Sequence, residues 1–221
     1  MRFLQKPFVF VNVAASLDGK ISDESRRQLR ISCDEDLRIV DELRAESDAI
    51  MVGIGTVLAD DPRLTVKSRD LRKRRLEEKK DENPLRVVVD SRCRVPLSSK
   101  VLNDEAKTLV AVSKAADEER IRRVSQRAEV AVFGEEKVDL SRLLEHLFSR
   151  GVRRVMVEGG GTLISSLVSG GLVDEMRIYF APMVIGGSKS PTICDGSSRI
   201  MGCRIERVER VGEGFAVFVK F

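Results

Sequence analysis

The chain has 221 residues, 42% hydrophobic and 33% charged, with a formal net charge of +4. That length supports a core without disulfide or metal staples, and no apolar run approaches the length that spans a bilayer. A single histidine, His146, excludes metal sites built on two or three histidines, and four cysteines without a C-x-x-C pair leave no zinc-knuckle or dithiol redox motif. Chemistry must then rest on carboxylates, lysines, arginines, hydroxyls or a cofactor, and no metal is expected.

Residues 9–13 are a valine-rich apolar run, read as a buried strand, and 16–20 form a turn that pivots on Gly19. Ser32 or Asp34 can cap a helix that runs to about Ser47, with Leu37, Val40 and Leu43 at helical spacing. A short strand at 48–52 leads through Gly53-Ile54-Gly55-Thr56 into a brief helical stretch, which Asp60-Asp61-Pro62 stops. Residues 69–80 alternate in charge and read as a solvated loop or surface helix. Strands follow at 85–89 and 108–112, a helix at 115–127 and a strand at 129–133. A helix at 140–149 ends at Gly151. A strand at 152–157, a helix at 162–168 and a strand at 174–181 come next, and 204–211 and 214–221 flank a hairpin turn at Gly212-Glu213. Strands alternating with helices predict one α/β domain over 1–221, with a mainly parallel sheet covered by helices on both faces and an antiparallel C-terminal hairpin. The N-terminus lacks a signal-peptide core, so a cytoplasmic setting is expected.

Three strand ends carry chemistry. Glu158 closes one strand, and Gly159-Gly160-Gly161-Thr162 then opens a helix. Glycines permit close approach, and the first helical N–H groups are free to hold a phosphate. The spacing is not G-x-G-x-x-G, because position 164 is Ile164, so a standard dinucleotide fold is disfavoured. Gly53-Ile54-Gly55-Thr56 is a second glycine turn of the same kind. Asp90-Ser91-Arg92-Cys93-Arg94 follows a third strand, and its arginines match a phosphomonoester. In a parallel sheet all three lie along one edge, where ligands of open α/β sheets bind.

With these motifs in hand, the segments VNVAASLDGKIS (11–22), MVGIGTVLADDPRLTV (51–66), RVVVDSRCRVP (86–96) and VMVEGGGTLISSLVSGGLVDEMRIYFAP (155–182) resemble the riboflavin-biosynthesis reductases, nearly end to end and in order. That family comprises stand-alone archaeal and fungal enzymes and the C-terminal half of a bacterial bifunctional protein. The resemblance implies a dihydrofolate-reductase-like fold, a homodimer, and NADPH as cofactor with NADH as the alternative. It implies reduction of the ribosyl side chain of a phosphorylated pyrimidine to a ribityl chain, by hydride transfer to C1′ of a ring-opened imine. Without a deaminase half, it also implies reduction before deamination. By motif, Thr56 and Asp60 would touch the cofactor, Ser91, Arg92, Cys93 and Arg94 would hold its adenosine-side phosphate, and Gly159, Gly160, Gly161 and Thr162 would take the pyrophosphate. Glu158 would be the catalytic residue facing the substrate, with Arg44, Leu64 and Lys67 lining the substrate side. Bacterial members often have lysine at Asn12, arginine at Lys67 and tryptophan at Arg30.

Hydride transfer asks little acid–base machinery of a protein, which fits a chain with one histidine. Glu158, Asp60 and Lys67 are the groups that could protonate the imine. A folate or other pteridine reductase of the same fold is the first alternative. A basic nucleic-acid-binding module is the second. The motif set argues against the first; 5% aromatic residues, with one Tyr and no Trp, leave the second little to stack on bases. No nucleic-acid or membrane partner is expected.

Overall fold

The computed structural model describes residues 5–27, 29–197 and 199–221. Its strands are β1 (Phe8–Ser16), β2 (Ala49–Gly53), β3 (Leu85–Val89), β4 (Thr108–Val112), β5 (Glu129–Val132), β6 (Arg154–Gly159), β7 (Glu175–Ala181), β8 (Arg204–Val211) and β9 (Gly214–Lys220). They form one nine-stranded sheet in the order β5-β4-β3-β2-β6-β1-β7-β9-β8. From β5 to β7 every pairing is parallel; β9 pairs antiparallel with both β7 and β8. The parallel core with an antiparallel edge is the arrangement that the sequence predicts.

Among the described residues six α-helices connect the strands: α1 (Asp34–Glu46), α2 (Ile54–Asp60), α3 (Arg69–Glu77), α4 (Glu118–Val124), α5 (Leu140–Ser149) and α6 (Gly161–Ser169). Each central strand alternates between two buried faces. Val11, Met51, Val87, Leu109 and Val157 pack on one side against Leu143, Leu144 and Leu147 of α5 and Ile164 and Leu167 of α6. Ile50, Val52, Val88 and Val110 pack on the other side with Val57 of α2 and Val124 of α4. Burial on both faces explains why these strands read as continuous apolar runs.

Several boundaries differ from the sequence expectation. Neither Ser32 nor Asp34 caps α1; the Cys33 thiol does, accepting from the amide of Asp36. Helix α4 is a seven-residue piece capped by Asp117, shorter than the helix expected over 115–127. Strand β6 starts two residues later than expected and runs through Gly159, so Glu158 is held within the sheet. The charged stretch at 69–80 is a helix, and it is not simply solvated. Arg75 is buried and donates from Nη1 to the carbonyls of Ala45 and Ser47, fastening the end of α1.

Candidate active site

On the second face of the sheet, the apolar pattern of β2 to β4 stops at β6, β1 and β7. The positions there are Glu158, Asn12 and Arg177. Asn12 is paired with Arg177 across β1 and β7, and it stands one residue beyond the Val11–Val157 pair of β1 and β6. Helix α1 covers this polar strip with residues about two turns apart. Asp36 reaches Arg177, and Arg44 reaches Glu158. Because polar groups line both surfaces, the gap does not close into core. It is a cleft of about 660 Å³, bordered by Asn12, Arg30, Val40, Arg44, Lys67 and Glu158 among others.

Arg44 and Glu158 form a two-pronged pair. Nε donates to Oε1 at 2.6 Å and Nη2 to Oε2 at 2.6 Å. A third donor, Nη1, reaches the carbonyl of Thr65 at 3.1 Å. Burial alone would lower the pKa of the Arg44 guanidinium, but the Glu158 carboxylate outweighs it and holds that pKa above its ordinary value. Planar fork-to-carboxylate geometry fixes both side chains more firmly than a single contact would. Lys67 stands at the rim. Its amide and that of Ser68 donate to the buried carboxylate of Asp41 on α1, at 2.6 and 2.7 Å. Among the described residues its ammonium makes no ion pair.

The second half of the site lies at the carboxyl edge of the same strands. Four helices have side-chain N-caps: Cys33, Ser68, Asp117 and Asp139. The other two, α2 and α6, begin at Gly53 and Gly160 with no side-chain cap. These helices follow neighbouring strands, since Val52 pairs with Gly159. Their turns abut: a Cβ on Gly160 would lie 3.5 Å from Thr56 Oγ1 and 3.7 Å from Gly53 Cα. Gly159 and Gly160 have φ of 151° and 88°, which side chains disfavour. Gly55 is exposed with nothing within 4 Å of its Cβ position. Gly161 has another reason to lack a side chain, because a Cβ there would meet the carbonyl of Thr192 at 2.5 Å. Thr162 borders a hollow of about 500 Å³ lined by Lys20, Arg26 and Lys189 and also by the carboxylates of Glu24 and Asp195. Uncapped N–H groups, an open glycine surface and nearby ammonium groups fit the diphosphate of a dinucleotide.

One strand further along, the loop after β3 presents Arg92 and Arg94, both exposed; Arg92 pairs with Glu136 at 3.0 Å. Ser91 Oγ accepts from the amide of Val138. Thr56 and Asp60 are half-buried on α2, and burial raises the Asp60 carboxyl above its ordinary value. Two expected ligand residues are placed elsewhere. The side chains of Cys93 and Leu64 lie in the core with Ile54 and Val57, at 0% and 2% exposure. Both have positive φ, 54° and 52°, in tight segments that turn the side chain inwards. Asp36, Asp41, Asn12 and Arg177 shape the cleft and were not expected there, whereas Arg44 was expected on the substrate side and does line the cleft. Asn12 had drawn notice only as a departure from bacterial lysine, and no motif marked Asp36 or Asp41.

Residues 7–217 match the family model described as the RibD C-terminal domain. The chain is 73% identical over 216 residues to a protein of Archaeoglobus fulgidus named 2,5-diamino-6-ribosylamino-4(3H)-pyrimidinone 5′-phosphate reductase, covering 98% of this chain and 99% of that protein. Among solved structures, RibD of Acinetobacter baumannii superposes with a TM-score of 0.77 at 26% identity, over 98% of this chain and 58% of that one. A pyrimidine reductase-like protein of Corynebacterium diphtheriae superposes with a TM-score of 0.86 at 20% identity, over 97% and 91%, and shows the shared fold. The polar cleft and the glycine edge thus sit on the fold of the RibD reductase domains, and the chain belongs to the RibD C-terminal domain family.

Proposed function

We propose that this chain reduces 2,5-diamino-6-ribosylamino-4(3H)-pyrimidinone 5′-phosphate, converting the ribosyl side chain to ribityl in riboflavin biosynthesis, with NADPH as reductant. The observation that carries this reading is the contact of two unlike surfaces at one strand end. Glu158 faces the polar cleft, and the next three residues form the glycine edge. Identity of 73% over nearly the whole length to a protein named for this reaction supports it.

Bound dihydronicotinamide supplies a hydride, and the protein does the rest. Gly159, Gly160, Gly161 and Thr162 with Thr56 would hold the diphosphate, and Arg92 and Arg94 a phosphate on the adenosine side. Guanidinium pairing with that extra phosphate is what favours NADPH over NADH. Reducing a substrate imine needs one proton at the departing double bond. Both oxygens of Glu158 are engaged by Arg44, so Glu158 acts by orienting that guanidinium toward the substrate. Lys67, at the rim with an ammonium that makes no ion pair among the described residues, is the proton source that the cleft offers. Helix α1 roofs the floor at Asn12 and Glu158 and leaves the cleft open to substrate.

We read the enzyme as a cytoplasmic homodimer acting on a small phosphorylated pyrimidine. Four free thiols support a reducing compartment. Edge strand β8 leaves Ile205 and Val208 64% and 58% exposed beside alternating arginines and glutamates, a surface a second copy could pair with. Among the described residues no helix is long and apolar enough to cross a membrane. The reading is tested by mass analysis of the product formed from this substrate and NADPH. A gain of two hydrogens located on the side chain is expected; an unchanged side chain refutes the reading.

A further inference from the structure

Behind the floor of the cleft lies a second ion pair that does not border the cleft itself. Arg177 Nη2 donates to Asp36 Oδ1 at 2.6 Å, and both side chains are 1% exposed. The other prong, Nη1, donates to Asn12 Oδ1 at 3.0 Å. Arg177 Nε and Asp36 Oδ2 are buried without a hydrogen-bond partner. A buried pair with an unmatched atom on each member is a poor stabiliser, and apolar side chains of equal volume often serve as well or better. What the pair does well is fix direction. Arg177 has only donors, so the Asn12 carboxamide must turn its oxygen toward it. Its Nδ2 then points the other way. Asn12 borders the cleft, and Nδ2 has no protein partner among the described residues and is not sealed from solvent.

We infer that Arg177, held by Asp36, is a positioning residue that locks the Asn12 carboxamide with its N–H donor facing the cleft, where it matches an acceptor atom of the pyrimidinone. This rests on reading the cleft as the substrate cleft. Without Arg177 the carboxamide can present either end, and half of its orientations place an oxygen against the substrate acceptor.

The test replaces the pair as a unit, Asp36→Leu with Arg177→Met, so that no charge is left alone in the interior. The Asn12 side-chain NH2 signals, identified by their loss in Asn12→Ala, should be well dispersed in the native protein and should move to exposed, averaged positions in the double variant. The KM for the pyrimidinone phosphate should rise on the order of tenfold, the loss of one neutral hydrogen bond. The kcat should stay within about threefold and the NADPH Kd should not change. Adding Asn12→Ala to the double variant should cause no further loss, because both act through one group. Should the double variant not fold, Arg177→Lys keeps the charge on Asp36 but lacks the second prong, and the same shifts are expected. Unmoved NH2 signals, or losses that add in full, overturn the inference. A native protein that does not turn over the substrate instead refutes the functional reading; in that case the NH2 signals still decide whether the pair holds Asn12.

Discussion

The guanidinium of Arg44 on α1 holds both carboxylate oxygens of Glu158 on β6, each at 2.6 Å, across the roof and floor of the cleft. The pair joins the helix that covers the cleft to the strand whose next three residues form the glycine edge. This ion pair therefore ties the polar cleft to the glycine edge.

Glu158→Gln replaces one acceptor oxygen with an amide that cannot receive the second prong. Arg44 is then free to swing. We expect turnover to fall about a hundredfold, as misplacement of an orienting group does, while NADPH affinity stays within about threefold. Steady-state kinetics with a direct cofactor titration checks this. Unchanged turnover would exclude an essential role for the carboxylate.

Glycines at the edge should behave differently from one another. Gly161→Ala drives a Cβ into the Thr192 carbonyl and should cost about 1–3 kcal/mol of stability. Gly55→Ala meets nothing, lies within α2, and should gain about 0.5–1 kcal/mol while weakening NADPH binding by closing the approach. Denaturant melts alongside cofactor titrations separate the two effects. A Gly55→Ala protein with native NADPH affinity would move the cofactor away from α2.

Replacing Arg92 and Arg94 together by Ala should abolish discrimination between the two nicotinamide cofactors. Arg92 is held by the exposed Glu136 and the carbonyl of Ala115, whereas Arg94 lies 3.8 Å from the buried carboxylate of Asp90, so stability should fall by about 0.5–3 kcal/mol, most of it from Arg94. The kcat/KM with NADPH should fall by at least about tenfold and that with NADH should not change. Equal losses with both cofactors would place the adenosine phosphate elsewhere.

Asp18 ties the turn after β1 to the backbone amides of Ile185 and Gly186, and the Ser16 hydroxyl with those amides draws its carboxyl down to about 2. The sign follows from linkage. The folded state favours the carboxylate, so its contribution is complete above the ordinary value of 3.8 and fades as pH falls toward 2. Carbon-13 titration of the Asp18 carboxyl should show a midpoint near 2, and Asp18→Asn should flatten the pH dependence of stability between these limits. A midpoint near 3.8 would mean that the turn is not tied in solution.

How much of this was legible in the sequence depends on what each element must bury. Strands β2, β3, β4 and β6 are apolar on both faces, and their runs stand out without any structural knowledge. The glycine edge was legible too, because Gly159-Gly160-Gly161 exceeds what a turn needs. The cleft was not. Arg44 and Glu158 were named only through the family resemblance, and nothing marked Asp36, Asp41 or Arg177, because the strip they face joins β1 to β6 and β7, more than a hundred residues further along the chain. Cys93 and Leu64 fell inside motifs that point at ligands, but positive φ turns both into the core, and nothing in a one-dimensional pattern encodes that turn.

The proposed reaction is reduction of the diaminopyrimidinone in this cleft before its deamination. The direct measurement is the loss of NADPH absorbance with 2,5-diamino-6-ribosylamino-4(3H)-pyrimidinone 5′-phosphate and, in parallel, with its deaminated counterpart. Rapid oxidation is expected with the diamino compound, and a kcat/KM at least about tenfold lower with the deaminated one. Oxidation confined to the deaminated compound, or none with either, would contradict it.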